Sequence, residues 1–175
     1  GIGRQNTSGI GREPGAKILT PDDLMDGVVP AKDVVLFDDD HFYLGGAMAD
    51  KLNREGCNVT LVTPAGEVSS WWYNTLEQHA IQKQLMEQGV KIYTAHNLQN
   101  IRTSGVSLTC VYTDRVTSIA CETVVLVTMR LPVDDFWHSN LSTMRIGDAY
   151  GPSTIAVAVY SGHQCASDLG RRRGE

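Results

Sequence analysis

The chain has 175 residues, 42% of them hydrophobic, and a formal net charge of -5. That length holds one full domain, or one domain and part of another, and the excess of acid excludes a nucleic-acid-binding surface. No apolar run is long enough to span a membrane, and no cysteine pair has the spacing of a zinc or cluster site.

The first fifteen residues, Gly1 to Gly15, are rich in Gly, Asn, Ser and Thr and read as loop. Gly9-Ile10-Gly11 has no strand before it and no helix after it, so it is not read as a phosphate loop. Lys17-Ile18-Leu19 is a short strand. Thr20 is placed to cap a short helix to Met25, with Pro21 in its first position. Val28 to Lys32 is a linker. Val34-Val35-Leu36-Phe37 then forms a buried strand that breaks into Asp38-Asp39-Asp40-His41. A helix follows, with Leu44, Met48 and Leu52 beside Ala47 on one face, closed by Gly56. Asn58 to Thr63 is the next strand. Strand, tight loop, helix and strand make the first unit of a nucleotide-binding α/β domain.

Pro64-Ala65-Gly66 turns the chain. Ser69-Ser70-Trp71-Trp72-Tyr73 is an aromatic cluster that either packs across a domain boundary or lines a ligand cleft, and packing is the favoured reading. Asn74 or Thr75 is expected to cap a helix to about Gln88, with Glu77 supporting the cap. Leu76, Ala80, Ile81 and Leu85 form its buried stripe. Gly89 stops it, and Val90 to Tyr93 is a strand. Val106–Val111 and Val116–Cys121 flank Tyr112 to Arg115 as a hairpin, with Cys110 and Cys121 as small core residues. Val124 to Thr128 is a continuous apolar strand of the parallel-sheet kind. The expected fold is therefore α/β: a Rossmann-like parallel sheet with helices and an antiparallel β-meander layer. Asp134-Asp135 before Phe136-Trp137-His138 marks a helix start. Arg145-Ile146-Gly147-Asp148 reads as a strand ending in an exposed acid. Pro152-Ser153-Thr154 opens a helix through Leu169, with Ile155, Val159, Ala166 and Leu169 on one face.

The loop after the first long strand is where a dinucleotide would sit. The fingerprint G-x-G-x-x-G would place its glycines at Asp38, Asp40 and Tyr43. A carboxylate ~4 Å from a phosphate charge costs ~1 kcal/mol in water and ~4 kcal/mol at an intermediate effective dielectric. The helix dipole returns only roughly 0.3–1 kcal/mol. The acid expected to hold an adenosine ribose is Thr63. The scaffold is present and the binding residues are replaced. Three successive acids do not converge on a cation, so no metal site is expected. Asp40 is assigned as the helix N-cap, accepting from the amides of Phe42 or Tyr43.

Asp-Asp-Asp-His-Phe-Tyr-Leu-Gly-Gly after a strand, then Val-Thr-Leu-Val-Thr-Pro, resembles one family: the C-terminal region of the trimethylamine, dimethylamine and histamine dehydrogenases and related N-methyl-amine demethylases. These are flavoproteins of the NADH:flavin oxidoreductase class. The resemblance continues through Leu19-Thr20-Pro21, Glu67-Val68-Ser69, Asn74 to Glu77 and Val124 to Thr128. It ends in Arg145 to Ala149 and Gly151 to Ala156. It implies a parent enzyme with an FMN barrel and an iron–sulfur cluster, then a two-part region resembling glutathione reductase. With no initiator methionine, the chain is expected to be a fragment of that parent, without catalytic residues or a cofactor of its own. Residues 1–32 are expected to belong to an adjoining FAD/ADP-binding-like domain, 33–128 to form the NAD(P)-binding-like domain with a degenerate fingerprint, and 129–175 to return to the first.

The resemblance implies cofactor contact in the parent at Thr128, Gly147 and Asp148, with ADP or FAD as the ligand. Met129 stands where the family pattern has glycine and restricts close approach there. Expected partners are the FMN barrel, an electron-transfer flavoprotein and further copies of the parent, with no nucleic acid or membrane; a cytoplasmic location is expected. Two alternatives stay open. One is an NAD(P)H-dependent flavin oxidoreductase domain; the other is a stand-alone, non-catalytic binding module.

Overall fold

The computed structural model describes residues 4, 5, 7, 9–135 and 144–172. It divides into two compact units: Thr7–Thr128, and Gly1–Asn6 together with Met129–Glu175.

The larger unit holds nine strands in two sheets. The strands are β2 (Gly11–Arg12), β3 (Ile18–Leu19), β4 (Asp33–Asp38), β5 (Asn58–Val62), β6 (Lys91–Tyr93), β7 (His96–Arg102), β8 (Gly105–Cys110), β9 (Val116–Ala120) and β10 (Thr123–Val127). A five-stranded sheet runs β3-β10-β4-β5-β6, and every pairing in it is parallel. Helix α1 (Pro21–Met25) follows β3, α2 (Tyr43–Arg54) joins β4 to β5, and α3 (Gln78–Glu87) leads into β6. The second sheet, β2-β7-β8-β9, is the antiparallel meander with β2 added in parallel at one edge. The fold class expected from the sequence is thus the fold observed. β2, β3 and α1 belong to this unit.

Side-chain alternation explains why the strands look uniformly apolar in sequence. Val34 and Leu36 of β4, Leu61 of β5 and Val125 of β10 lie in one core with Met48 and Leu52 of α2, and Ile81 and Leu85 of α3. Val35, Phe37, Val62, Val124 and Leu126 point the other way, into a second core with Leu98, Ile101, Val106 and Leu108 of the meander. Period-two alternation puts neighbours on opposite faces. Since both faces are covered, the central positions of these strands are almost all apolar, with Thr60 the exception within β5.

Several local expectations need correction. Thr20 caps α1 through a full capping box with Asp23, as expected, and Gly56 follows α2 at φ +89°. The third helix starts later than its polar residues suggest. Ser70–Thr75 is a 3-10 turn, Leu76 takes a left-handed conformation at φ 63° and is 89% exposed, and Ala80 is exposed. The buried residues of α3 are Gln78, Ile81 and Leu85. Gln78 is tolerated because its amide donates to the Val68 carbonyl and to Gln82. Cys121 is buried, with its thiol pushed up to about 11 by desolvation, whereas Cys110 is only half-buried.

In the smaller unit, β1 (Arg4–Gln5) pairs antiparallel with β11 (Arg130–Leu131). The strand expected at 145–148 is absent: Gly147–Ala149 is a 3-10 turn, entered from extended backbone at Ile146. Gly147 sits at φ +56°, which ends any strand there. Helix α4 (Ile155–Arg172) forms as expected, yet its Ile155, Val159 and Leu169 are exposed. Arg145 and Asp134 form an ion pair. The helix expected from Phe136 lies outside the described residues.

The meander turn depends on one backbone position. Gly105 has φ +151°, and a Cβ there would lie 2.2 Å from the Ile119 carbonyl oxygen of the paired strand. Gly105→Ala is expected to destabilise the chain by about 1–3 kcal/mol, read as a lowered urea midpoint at unchanged m-value.

Candidate functional site

The order of the parallel sheet locates a crevice. From β4 the chain steps outward through α2 to β5 and through α3 to β6, while β10 lies on the other side of β4. In open α/β sheets, ligands bind outside the carboxyl ends of the strands at such a reversal. Here that point lies between the ends of β4 and β10, at Asp38, Asp39, Val127 and Thr128. The Asp39 amide donates to the Val127 carbonyl at 2.9 Å, which carries the pairing one step past the sheet. Thr128, expected to contact cofactor, is buried here.

Asp38 fills the crevice from within. It is the last residue of β4 and fully buried. Its Oδ1 accepts from the amides of Asp40 and His41, both at 3.2 Å. Its Oδ2 is buried and has no hydrogen-bond partner. Burial dominates its titration and pushes its pKa up to about 6, against the lowering effect of the loop amides. These amides are the donors that a pyrophosphate would need at a helix start. They already have an acceptor, and it is a carboxylate, so the residues present do not fit a dinucleotide phosphate.

The cap expected at Asp40 is a correction. The N-cap of α2 is Phe42, and no side chain caps the helix. Asp40 stands two residues before that position, and the left-handed conformation of His41 at φ 62° separates it from the helix start. The carboxylate that organises the turn is two residues earlier, on the strand. His41 lies 3.5 Å from Asp39 through its Nε2. That hydrogen-bonding partner raises its pKa, and the surrounding acids raise it further.

The role of the third fingerprint glycine has moved. Tyr43 cannot allow close helix–strand approach, but Gly45 does. A Cβ at Gly45 would stand 2.3 Å from the Asp38 carboxyl, and one at Gly46 would stand 2.8 Å from Ile81. A Gly-Gly pair inside a helix costs propensity, and that was the available sequence signal of a close approach. Phe42 and Tyr43 then stack on Trp71 and Trp72, with ring centroids 5.5 and 6.1 Å apart and planes nearly parallel. The Trp71 amide donates to the His41 carbonyl. So Trp71 and Trp72 stack on the loop of their own unit, while Trp71 and Tyr73 stay more than half exposed. Thr63, at the expected ribose position, is buried; its hydroxyl accepts from the Ala65 amide.

The other two expected contact residues lie in the smaller unit. The Gly147 amide donates to the Ser161 hydroxyl of α4 at 2.9 Å, and Asp148 is exposed in the 3-10 turn. Among the described residues, no group of three or more His, Cys, Asp or Glu side chains could hold a metal ion.

A parallel sheet with helices on one face and a meander on the other, with this loop at its reversal, defines a nucleotide-binding-type α/β domain with a degenerate phosphate turn. The chain matches the family described as the OYE-like second alpha/beta domain over residues 19–122, and it belongs to that family. It is 25% identical over 183 residues to dimethylamine dehydrogenase of Hyphomicrobium sp. (strain x), covering 87% of this chain and 25% of that protein. Histamine dehydrogenase from Rhizobium sp. 4-9 superposes with a TM-score of 0.86 at 34% identity, covering 95% of this chain and 29% of that one. The 6-hydroxypseudooxynicotine amine oxidase of Pseudomonas geniculata N1 gives 0.81 at 32% identity, covering 93% and 27%. Bacillithiol disulfide reductases and a water-forming NADPH oxidase, at 12–14% identity, share the fold alone. The chain spans about a quarter of the length of the amine-oxidising relatives.

Two predictions come from Asp38. Gly45→Ala is expected to destabilise the domain by about 1–3 kcal/mol through overpacking. That cost should shrink in an Asp38→Gly background, where the opposing carboxyl is gone; chemical denaturation of the four proteins reads the coupling. The second concerns pH. A carboxyl raised from 3.8 to about 6 binds its proton more tightly in the folded chain. Folded-state stability from this group is therefore fully present below the unfolded pKa and is lost as pH rises through about 6. Lowering pH from 7 to 5 should stabilise the wild type relative to Asp38→Asn by on the order of 1 kcal/mol. Equal pH dependence of the two proteins in urea melts is the contrary outcome.

Proposed function

We propose that this chain is a structural, nucleotide-binding-like module of a larger flavin-dependent oxidoreductase that acts on an amine, and that it has no active site of its own. The family membership and the amine-oxidising relatives support the oxidoreductase part. The observation that carries the structural part is the Asp38 carboxylate, which takes the loop amides a cofactor phosphate would need. The same feature disfavours an NAD(P)H-dependent reductase domain.

In this reading the parent oxidises a methylated or biogenic amine at an FMN barrel. An iron–sulfur cluster and an electron-transfer flavoprotein carry the electrons away in the cytoplasm. Residues 33–128 act as the NAD(P)-like domain. Residues 129–175, with Gly147, Asp148 and the adjoining Thr128, contribute to a site for ADP or FAD in the parent. Among the described residues no helix is long and apolar enough to cross a membrane.

The test is direct. Calorimetric titration of the chain with NADH and with NADPH should give no micromolar Kd for either. A micromolar value would return the crevice to cofactor binding and remove the structural assignment.

A further inference from the structure

We propose that the 3-10 turn Ser70–Thr75 and the start of α2 form a docking surface for another polypeptide whose contact face is apolar at its centre and basic at its edge.

The surface is an aromatic ridge turned outward. Trp71 is 54% exposed, Tyr73 58%, Tyr43 54% and Leu76 89%. Stacking joins Trp71 to Phe42 and Tyr43 to Trp72, so the turn and the start of α2 present two ring pairs side by side in sequence, with Tyr73 and Leu76 exposed on the same turn. Contiguous exposed apolar patches of this sort mark interaction sites, and Trp and Tyr dominate the energetics of such sites.

The backbone holds this ridge out at a cost. Both ends of the turn are left-handed at non-glycine residues, Ser69 at φ 49° and Leu76 at φ 63°. A bulky side chain rarely adopts that conformation. Strain of this kind persists where the surroundings over-determine it, and it clusters at functional positions. Here the surroundings are visible. The Trp72 amide donates to Ser69, the Glu77 amide donates to Trp72, and the Trp71 amide donates to His41. Leu76 is left pointing at solvent.

The rim fixes the chemistry of the partner. Glu67 accepts from the Tyr73 hydroxyl, Glu77 accepts from the Thr75 hydroxyl, and Asp39 lies beside His41 next to the Phe42 ring. From residue 33 to 50 and from 55 to 82 the sequence contains no Lys or Arg. An apolar centre bordered by Glu67, Glu77 and Asp39 is complementary to an apolar surface flanked by Lys or Arg. It also disfavours a second copy, because a two-fold contact would set acidic rim against acidic rim.

The experiment uses the 175-residue chain and two synthetic amphipathic helical peptides, one of Leu and Lys and one of Leu and Glu. Binding is followed by tryptophan fluorescence and calorimetry, and the state of the free chain by light scattering. The expected result is saturable binding of the Leu/Lys peptide that weakens with salt, with none of the Leu/Glu peptide. Leu76→Asn keeps a residue that tolerates the left-handed conformation, so the chain should fold at least as well as wild type. It should nonetheless weaken peptide binding by at least about fivefold, as should Trp71→Ala. Equal binding of both peptides, no binding of either, or an affinity untouched in Leu76→Asn would overturn the proposal. Concentration-dependent dimers that Leu76→Asn abolishes would also overturn it, in favour of a second copy.

Discussion

A buried carboxylate at the carboxyl end of the central strand organises this domain. Asp38 is fully buried, and its Oδ2 has no partner. Placing a charge there is costly unless something compensates. The compensation is local: two loop amides donate to Oδ1, and proton uptake near pH 6 relieves the rest. Those two bonds bring the amide of His41 back toward the strand. The His41 carbonyl then accepts from Trp71, and Phe42 stacks on the Trp71 ring. The turn, the helix start and the aromatic ridge form one connected structure that begins at Asp38.

That arrangement also explains how a dinucleotide scaffold persists without its glycines. In a working site, a bound phosphate satisfies the orphan amides of the turn and helix start. Here an internal anion satisfies two of them. The close helix–strand approach still has to be made, and it is made by Gly45 against the Asp38 carboxyl itself. The ligand and one glycine are replaced by a side chain and a shifted glycine. The sheet and both cores need no change.

Much of the fold could be read in the sequence because its strongest signals are periodic. Continuous apolar runs such as Val34 to Phe37 and Val124 to Val127 have only one stable use, a parallel sheet covered on both faces. Thr20 with Asp23, and Gly56, mark their ends by chemistry that works locally. The errors fall where tertiary contacts decide. Leu76 fits a helical stripe, but the 3-10 turn rotates it out and buries Gln78 in its place. His96 to Arg102 carries no apolar strand pattern in sequence, because only Leu98 and Ile101 of its side chains enter the core. At the site, three adjacent acids compete for one role. Propensity favours the acid nearest the helix, whereas the left-handed turn at His41 gives the role to the farthest. No local rule carries that information.

Among the described residues of this unit, Ala95 and Asp114 of the β6–β9 region take left-handed backbone without being glycine, and so do His41, Ser69 and Leu76, which bound one loop-and-turn structure. Each costs energy that an idealised domain would avoid. A domain that only needed to be stable could relax the turn and bury Leu76 beside Trp72. It instead keeps a buried acid, a closed phosphate turn and an exposed aromatic ridge at one end of the sheet. The first two belong together, since the Asp38 carboxylate is the acceptor that closes the turn amides. They do not account for Leu76, which satisfies no donor and fills no cavity. In the docking proposal that strain has a use: it holds Leu76 out at the edge of the sheet where a partner with an apolar, basic-edged face would meet it.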